Sequence, residues 1–114
     1  MLVWQKAMAT AEKIINVSAR LNTKTSHYRL ISQLESAATS IPLNIAEGKG
    51  RNSKKEFIQF LYIARGSLYE TQTLLELFKR LDWITNETFE TLESDLYEIA
   101  KMLKGLINSI YKNL

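Results

Sequence analysis

The chain has 114 residues, with 15 lysines and arginines against 12 aspartates and glutamates, and a formal net charge of +3. This length suits one domain built around a single hydrophobic core and leaves no room for a separate catalytic module. Cysteine is absent, which excludes disulfides and thiolate metal sites and is compatible with a reducing cytosol.

The composition favours helices. Strong helix formers dominate the chain, which contains four glycines and one proline. Three breaks, at residues 22–25, 48–52 and 82–85, divide it into four segments of bundle length. No segment approaches the 18 consecutive apolar residues of a membrane span, and the N-terminal residues lack the apolar run of a signal peptide. We therefore expect a cytoplasmic, all-α protein with no membrane partner.

The first two segments each carry one apolar face. Apolar or small residues recur at steps of three and four, as in amphipathic helices. In the first segment these are Trp4, Met8, Ala11, Ile15 and Leu21, and in the second they are Leu30 or Ile31, Leu34, Ala37, Ala38, Ile41 and Ile45. We expect both faces to lie in the core.

The proline lies inside the second segment. Pro42 removes the amide that would bond to the carbonyl of Ala38, which predicts a kink or two collinear helices near Ser40. The polar neighbours Asn44 and Glu47 have two interpretations. They satisfy backbone groups freed by the kink and the nearby helix end, or they contact a ligand directly.

The third and fourth segments have longer apolar seams. The third contains Phe57, Leu61, Ala64, Leu68, Thr71, Leu75 and Phe78, with a neighbouring seam of Phe60, Ile63, Ser67, Leu74, Leu77 and Leu81. The fourth contains Phe89, Leu92, Leu96, Ile99, Leu103, Leu106 and Ile110. Since the connections are short, the four helices are predicted to form an antiparallel up-down-up-down bundle with a proline kink in helix two.

Local chemistry predicts where these helices begin and end. Ser53 is placed to cap helix three, with Glu56 three residues later completing a capping box, and Thr85 is placed to cap helix four. Gly48 suits the left-handed residue that ends helix two.

A further stripe on helix three lies apart from the two predicted core seams. Ile58, Tyr62, Arg65 and Tyr69 are spaced at i, i+4, i+7 and i+11. The stripe has three interpretations: a solvated face, a subunit interface, or a surface on which nucleic-acid bases stack. We favour the subunit interface, because tyrosine and arginine are typical interface anchors.

Charges are segregated along the chain. Residues 49–55 contain four bases and no acid, whereas residues 82–98 contain six acids and no base. The bases are Lys49, Arg51, Lys54 and Lys55. The first turn of helix three holds Lys54 and Lys55, where the helix dipole disfavours cations by up to about 1 kcal/mol each. The basic segment is therefore a solvated loop, a phosphate contact, or a surface that pairs with an acidic neighbouring subunit.

No catalytic or metal-binding constellation is recognisable. Di-iron bundles need Glu-x-x-His pairs, and the sole histidine, His27, has Lys24 three residues before it. One histidine and no cysteine provide neither a thiol–imidazole pair nor a convincing serine triad. The segment that begins at Gly48 lacks the spacing of a phosphate-binding loop. We expect no enzyme, no cofactor and no metal.

Three stretches resemble a known family. They are Ser40-Ile-Pro-Leu-Asn-Ile-Ala-Glu-Gly-Lys-Gly-Arg51, Lys54-Lys55-Glu56-Phe57 and Ala64-Arg65-Gly66-Ser67-Leu68. The chain resembles the bacterial four-helix-bundle proteins encoded in 23S ribosomal RNA intervening sequences, which include the accessory variability proteins of diversity-generating retroelements. The resemblance implies a cyclic homo-oligomer, usually a pentamer, with suspected or demonstrated nucleic-acid binding and no known catalysis. Many relatives carry a basic pair where this chain has Glu35-Ser36, which removes positive charge at that position.

Two functional hypotheses follow. In the first, the oligomer binds structured or single-stranded RNA or DNA electrostatically as an accessory factor. The candidate phosphate contacts are Lys49, Arg51, Lys54, Lys55 and Arg65. In the second, the chain is an interaction scaffold whose basic end docks an acidic protein partner, and nucleic acid has no role.

Overall fold

The computed structural model describes residues 1–23 and 25–114 of the chain. Within these ranges it contains no strand and four helices, α1 (Leu2–Ser18), α2 (Tyr28–Lys49), α3 (Lys54–Arg80) and α4 (Asn86–Lys112). Helix α1 packs on α2 and α4, α2 packs on α3, and α3 packs on α4, so the four helices surround one core. The predicted all-α, four-helix fold is confirmed.

The connections lie at or beside the three predicted breaks. Residues 50–53 join α2 to α3, and residues 81–85 join α3 to α4. The break predicted at 22–25 falls between α1 and α2, but Lys24 in it lies outside the described residues.

Contacts at the helix ends show which segments are neighbours. Lys54 Nζ, at the start of α3, donates a hydrogen bond of 2.7 Å to the carbonyl of Asn113, just beyond α4. Met1 and Lys49 line one shallow pocket, so the N-terminus also lies beside the α2–α3 loop. The rings of His27 and Trp83 lie 4.8 Å apart. Both termini therefore lie beside the 50–53 loop, and the residue before α2 lies beside the loop that joins α3 to α4.

Both predicted N-caps are confirmed. The Ser53 side chain accepts a hydrogen bond of 3.1 Å from the Glu56 amide, and the Thr85 side chain accepts one of 3.0 Å from the Thr88 amide. Each cap satisfies a backbone donor that the first turn of its helix leaves without a partner. These caps fix where α3 and α4 begin.

The expectation for Gly48 is wrong, because this glycine lies inside α2 rather than in a left-handed turn after it. The helix continues to Lys49 and is followed by Gly50, and none of the described glycines has a positive φ. Gly48 is needed for close packing instead. A Cβ there would lie 2.7 Å from Phe60 Cβ and 2.9 Å from Phe57 Cδ1, so only glycine lets α3 approach α2 this closely.

The left-handed residue is found at the end of α3, where Asp82 has a φ of 61°. The Trp83 amide bonds to the Phe78 carbonyl at 2.9 Å, and the Asp82 amide bonds to the Lys79 carbonyl at 3.0 Å. This pair of bonds is the Schellman arrangement, which satisfies the last carbonyls of a helix.

The core differs from the prediction on α1. Its buried residues are Val3, Ala7, Thr10, Ala11, Ile14 and Ser18, whereas Trp4, Met8 and Ile15 are exposed. Two apolar stripes lie one residue apart on this helix, and the stripe with the smaller side chains faces the core. The second seam of α3 is likewise corrected, because Ile63, Leu77 and Leu81 are exposed.

Helix α2 continues through Pro42, which lies inside it. Beyond the proline, Asn44 Nδ2 donates to the Ser40 carbonyl at 2.8 Å and to Ser40 Oγ at 2.9 Å. Ser67 Oγ donates to the same Ser40 hydroxyl at 2.8 Å. Asn44 therefore belongs to a polar network that joins α2 to α3 just before the proline.

Candidate nucleic-acid interface

The basic segment lies beside both termini of the chain. Helix α2 ends at Lys49, the loop contains Arg51, and α3 begins with Lys54 and Lys55. All four basic side chains are exposed to solvent. The four bases lie within seven residues at the junction of α2 and α3, and we call this region the basic end.

Arg51 is held by contacts within the chain. Its guanidinium donates to the carboxylate of Glu47, one helical turn earlier, and lies 4.7 Å above the ring of Phe60. Glu47 therefore reduces the positive field around Arg51. The pair is exposed, and exposed pairs are worth at most about 1 kcal/mol, so a phosphate can replace the carboxylate at little cost.

Lys54 also has a partner inside the chain. Its hydrogen bond to the Asn113 carbonyl places the ammonium at the C-terminal end of α4, where the helix dipole favours a cation. The C-terminal end of α4 therefore offsets the unfavourable interaction between the Lys54 ammonium and the dipole of α3. Lys49 and Lys55, in contrast, take part in none of the ion pairs found among the described residues.

Arg65 is separate from the basic end. It lies eleven residues beyond Lys54, which is about 16 Å along the helix. Its guanidinium lies 4.8 Å above the ring of Tyr62. The hydroxyls of Tyr62 and Tyr111 lie 3.4 Å apart, and this hydrogen bond raises the pKa of Tyr111 above its ordinary value of 10.0. Arg65 therefore belongs to an aromatic surface on α3 and α4.

The stripe predicted on α3 requires one correction. Ile58 is only 4% exposed and belongs to the core, whereas Tyr62 and Tyr69 are exposed and Arg65 is half-buried. Ile58 therefore packs inwards with the other core residues of α3. The surface stripe is therefore formed by Tyr62, Arg65 and Tyr69.

Glu35 has a structural role in the fold. It accepts a hydrogen bond from the hydroxyl of buried Ser18 and so ties α2 to the end of α1. The same hydroxyl contacts the Ile15 carbonyl at 3.0 Å. The carboxylate at this position is therefore committed to a contact between helices.

Sequence reasoning missed an apolar cleft between α1 and α2. Its volume is about 930 Å³, and its walls include Trp4, Met8, Ile15, Pro42 and Leu43. Two signals point to it: the second apolar stripe on α1, and a leucine on α2 that is out of phase with the core residues. We call this feature the α1–α2 cleft.

The described residues meet the requirements of neither a metal site nor a membrane-spanning helix. Across residues 1–23 and 25–114, no three His, Cys, Asp or Glu side chains are grouped so that they could hold a metal ion. None of the helices in those ranges is both long and apolar enough to span a membrane. The ring of His27, the one histidine of the chain, lies against Trp83, and Lys24 is outside the described part.

Comparison with known proteins agrees with the family resemblance. The profile of the family described as 23S rRNA-intervening sequence protein matches residues 1–105. The fold is similar to a crystal structure of a protein of unknown function from the S23 ribosomal protein family of Bacteroides thetaiotaomicron, with a TM-score of 0.86 and 33% identity. That match covers 92% of this chain and 97% of the other. No curated protein matches the sequence. Since the profile match spans most of the chain, the protein belongs to the 23S rRNA-intervening sequence protein family.

Proposed function

We propose that this protein is a non-enzymatic accessory factor that binds nucleic acid through its basic end. In this proposal the chain is an antiparallel up-down-up-down bundle with a kink at Pro42, and it assembles into a homo-oligomer, a pentamer by family resemblance. The observation that carries the proposal is the pair of exposed lysines, Lys49 and Lys55, which flank the 50–53 loop and have no ion-pair partner among the described residues.

The basic end suits a phosphate backbone rather than a base-specific contact. Lysines and the N-terminal amides of a helix both bind phosphate, and such contacts position a nucleic acid without reading its sequence. A cyclic oligomer repeats the loop once per copy around one axis. Since each neutralised phosphate releases counterions, affinity rises steeply with the number of copies that engage one strand.

The four bases have different roles in this proposal. Lys49 and Lys55 contact phosphates directly, and Arg51 exchanges the Glu47 carboxylate for a phosphate that it can hold with two hydrogen bonds. Lys54 holds the loop against the end of α4. Arg65 is assigned to the aromatic surface of α3, away from the phosphate contacts.

The deciding experiment is fluorescence-anisotropy titration of a structured RNA and a single-stranded DNA at low and near-physiological salt. The test variant replaces Lys49, Arg51 and Lys55 by glutamine and leaves Lys54 in place. We expect at least about tenfold weaker binding. The dependence of log affinity on log salt should fall by about 2 to 3 for each engaged copy, because each of the three lost phosphate contacts removes about 0.7 to 0.9 from that slope.

The matched control replaces Arg20, Arg29 and Arg80 by glutamine. All three side chains are exposed, and this variant has the same formal net charge as the loop variant. We expect it to bind nearly as well as the wild type. If both variants lose affinity for nucleic acid equally, only the net charge matters for binding. If the loop variant keeps the wild-type affinity, the basic end is not the binding site.

A second candidate function is an interaction scaffold whose basic end docks an acidic protein. The modest net charge of +3, the Glu47–Arg51 pair and the carboxylate of Glu35 all weaken the positive field that a polyanion would feel. A pull-down from nuclease-treated lysate separates the two functions. Stoichiometric recovery of one acidic protein supports the scaffold, whereas recovery that nuclease abolishes supports the accessory factor.

A further inference from the structure

Two separate apolar surfaces of the chain are open to solvent. The first is the α1–α2 cleft, whose walls include Trp4, Met8, Ile15 and Leu43, side chains that are 37–66% exposed. Exposed apolar surface between two helices is the kind of feature that interaction sites use.

The second surface surrounds Gly66 on the outer face of α3. Three apolar side chains adjoin this glycine on the helix surface: Tyr62 four residues before it, Ile63 three residues before it and Tyr69 three residues after it. Their side chains are 37–53% exposed. A Cβ at Gly66 would meet nothing within 4 Å. Glycine is disfavoured inside helices, so an open glycine between exposed apolar side chains suits the close approach of another chain. We call this surface the Gly66 patch.

The two surfaces have complementary charges. Glu12 is the one charged residue among those that line the α1–α2 cleft. Arg65 lies beside the Gly66 patch, against Tyr62, and takes part in none of the ion pairs that the described residues form. A contact between the surfaces would therefore add an arginine–carboxylate pair to an interface of aromatic residues, methionine and arginine, which are residue types enriched at interfaces.

The surfaces also lie on different sides of the bundle, since α1 packs on α2 and α4 but not on α3. We infer that the Gly66 patch of one copy docks into the α1–α2 cleft of the next copy, so that the chains join head to tail. This inference rests on the homo-oligomer of the proposed function. A closed head-to-tail ring covers both surfaces on every copy, whereas a foreign partner in the cleft would leave the Gly66 patch exposed.

The test blocks one surface at a time and measures mass by light scattering during size-exclusion chromatography. Leu43→Arg places a charge in the cleft, and Gly66→Trp places a bulky ring at the centre of the Gly66 patch. We expect each variant to be monomeric at a concentration where the wild type is a ring. We also expect their equimolar mixture to form a two-chain complex and nothing larger, because one intact cleft meets one intact patch.

Two control variants make the comparison specific. Tyr97→Arg changes an equally exposed residue of α4, and Gly105→Trp changes a glycine whose Cβ would also meet nothing within 4 Å. Both should retain the wild-type mass. Circular dichroism checks that every variant folds, and Tyr69→Arg replaces Gly66→Trp if the tryptophan prevents folding.

The outcomes separate this inference from the function on which it rests. A monomeric wild type overturns the homo-oligomer itself. A wild-type oligomer that survives both blocking variants keeps the homo-oligomer and overturns the interface. If only one variant dissociates, or if the mixture of two monomeric variants forms no complex, the two surfaces do not meet each other and the head-to-tail arrangement is overturned.

Discussion

The indole of Trp83 lies against the ring of Phe78, with ring centroids 4.8 Å apart and planes inclined by 55°. The two residues are also joined through the backbone, since the Trp83 amide donates to the Phe78 carbonyl. Between them the chain reverses through Asp82, whose φ is positive. The aromatic contact is thus the hydrophobic part of the motif that ends α3, and it sets the direction in which the chain enters α4.

Replacing Trp83 by alanine should lower the free energy of unfolding by about 2 kcal/mol, less than for a fully buried aromatic residue, because Trp83 is only partly buried. The substitution removes ring contacts with both Phe78 and His27. Urea denaturation measures the change in the free energy of unfolding. Tyr97→Ala, at an exposed position of α4, is the control and should cost less than about 0.5 kcal/mol. Equal effects of the two substitutions would show that the Trp83 contacts do not stabilise the fold.

Gly48→Ala should destabilise the chain by about 2 kcal/mol, since overpacking a tight contact typically costs 1–3 kcal/mol. The added methyl group would lie 2.7 Å from Phe60 Cβ and 3.2 Å from the Phe57 carbonyl oxygen, and backbone atoms cannot move aside cheaply. Gly105→Ala is the matched control, because the same methyl group meets nothing within 4 Å there. It should stabilise the chain by about 0.5–1 kcal/mol through helix propensity. Thermal or urea denaturation that ranks the two variants in the opposite order would contradict the close approach of α2 and α3.

The prediction for acidic pH concerns Asp95, which lies between Lys6 and Lys13 at 3.1 and 2.9 Å. Partial burial raises the pKa of this carboxyl, but hydrogen bonds from Lys13 and Lys6 outweigh that effect and lower the pKa below its ordinary 3.8. The folded state therefore binds its proton less readily than the unfolded state does. The stabilisation is fully present above about pH 4 and is lost as the pH falls through the lowered pKa.

Asp95→Asn should accordingly cost about 0.5–1 kcal/mol at neutral pH, because the two lysines are partly exposed and solvent weakens the pairs. The difference between wild type and variant should shrink as the pH falls below about 4. Urea denaturation at a series of pH values measures it, with Glu98→Gln as the exposed control. A difference that stays constant through the acid range would show that the lysine pairs do not stabilise the folded state.

The fold was predictable where the determining interactions are local. Ser53 and Thr85 cap their helices through bonds to residues three positions away, so spacing alone identified both. On α1, two apolar stripes lie one residue apart, and only one of them faces the core. Which stripe is buried depends on how closely α2 and α4 approach α1, and this distance cannot be read from the sequence. Gly48 was expected to end α2 in a left-handed conformation, but it lies inside that helix, and the left-handed residue at the end of α3 is an aspartate, Asp82, rather than a glycine.

The sequence identified the residues of the candidate site but not most of the residues that they contact. The four bases of the basic end follow directly from the sequence, and the i, i+4 spacing of Glu47 and Arg51 was a usable signal for their ion pair. The bond from Lys54 to Asn113 joins residues 59 positions apart, so only the packed bundle reveals it. The α1–α2 cleft was missed for the same reason, because its exposure depends on which stripe of α1 is buried.

Glu47→Gln should strengthen nucleic-acid binding, because it releases Arg51 from its carboxylate partner while keeping the shape of the side chain. A gain of about threefold to fivefold is expected, because the exposed pair that no longer has to be broken is worth at most about 1 kcal/mol. Glu98→Gln makes the same change in net charge on an exposed part of α4 and should alter the affinity by less than about twofold. Anisotropy titrations at matched salt compare the two. If both substitutions strengthen binding equally, Arg51 contributes only through net charge; if Glu47→Gln weakens binding, the Glu47–Arg51 pair is needed to shape the loop, and the assignment of Arg51 as a phosphate contact fails.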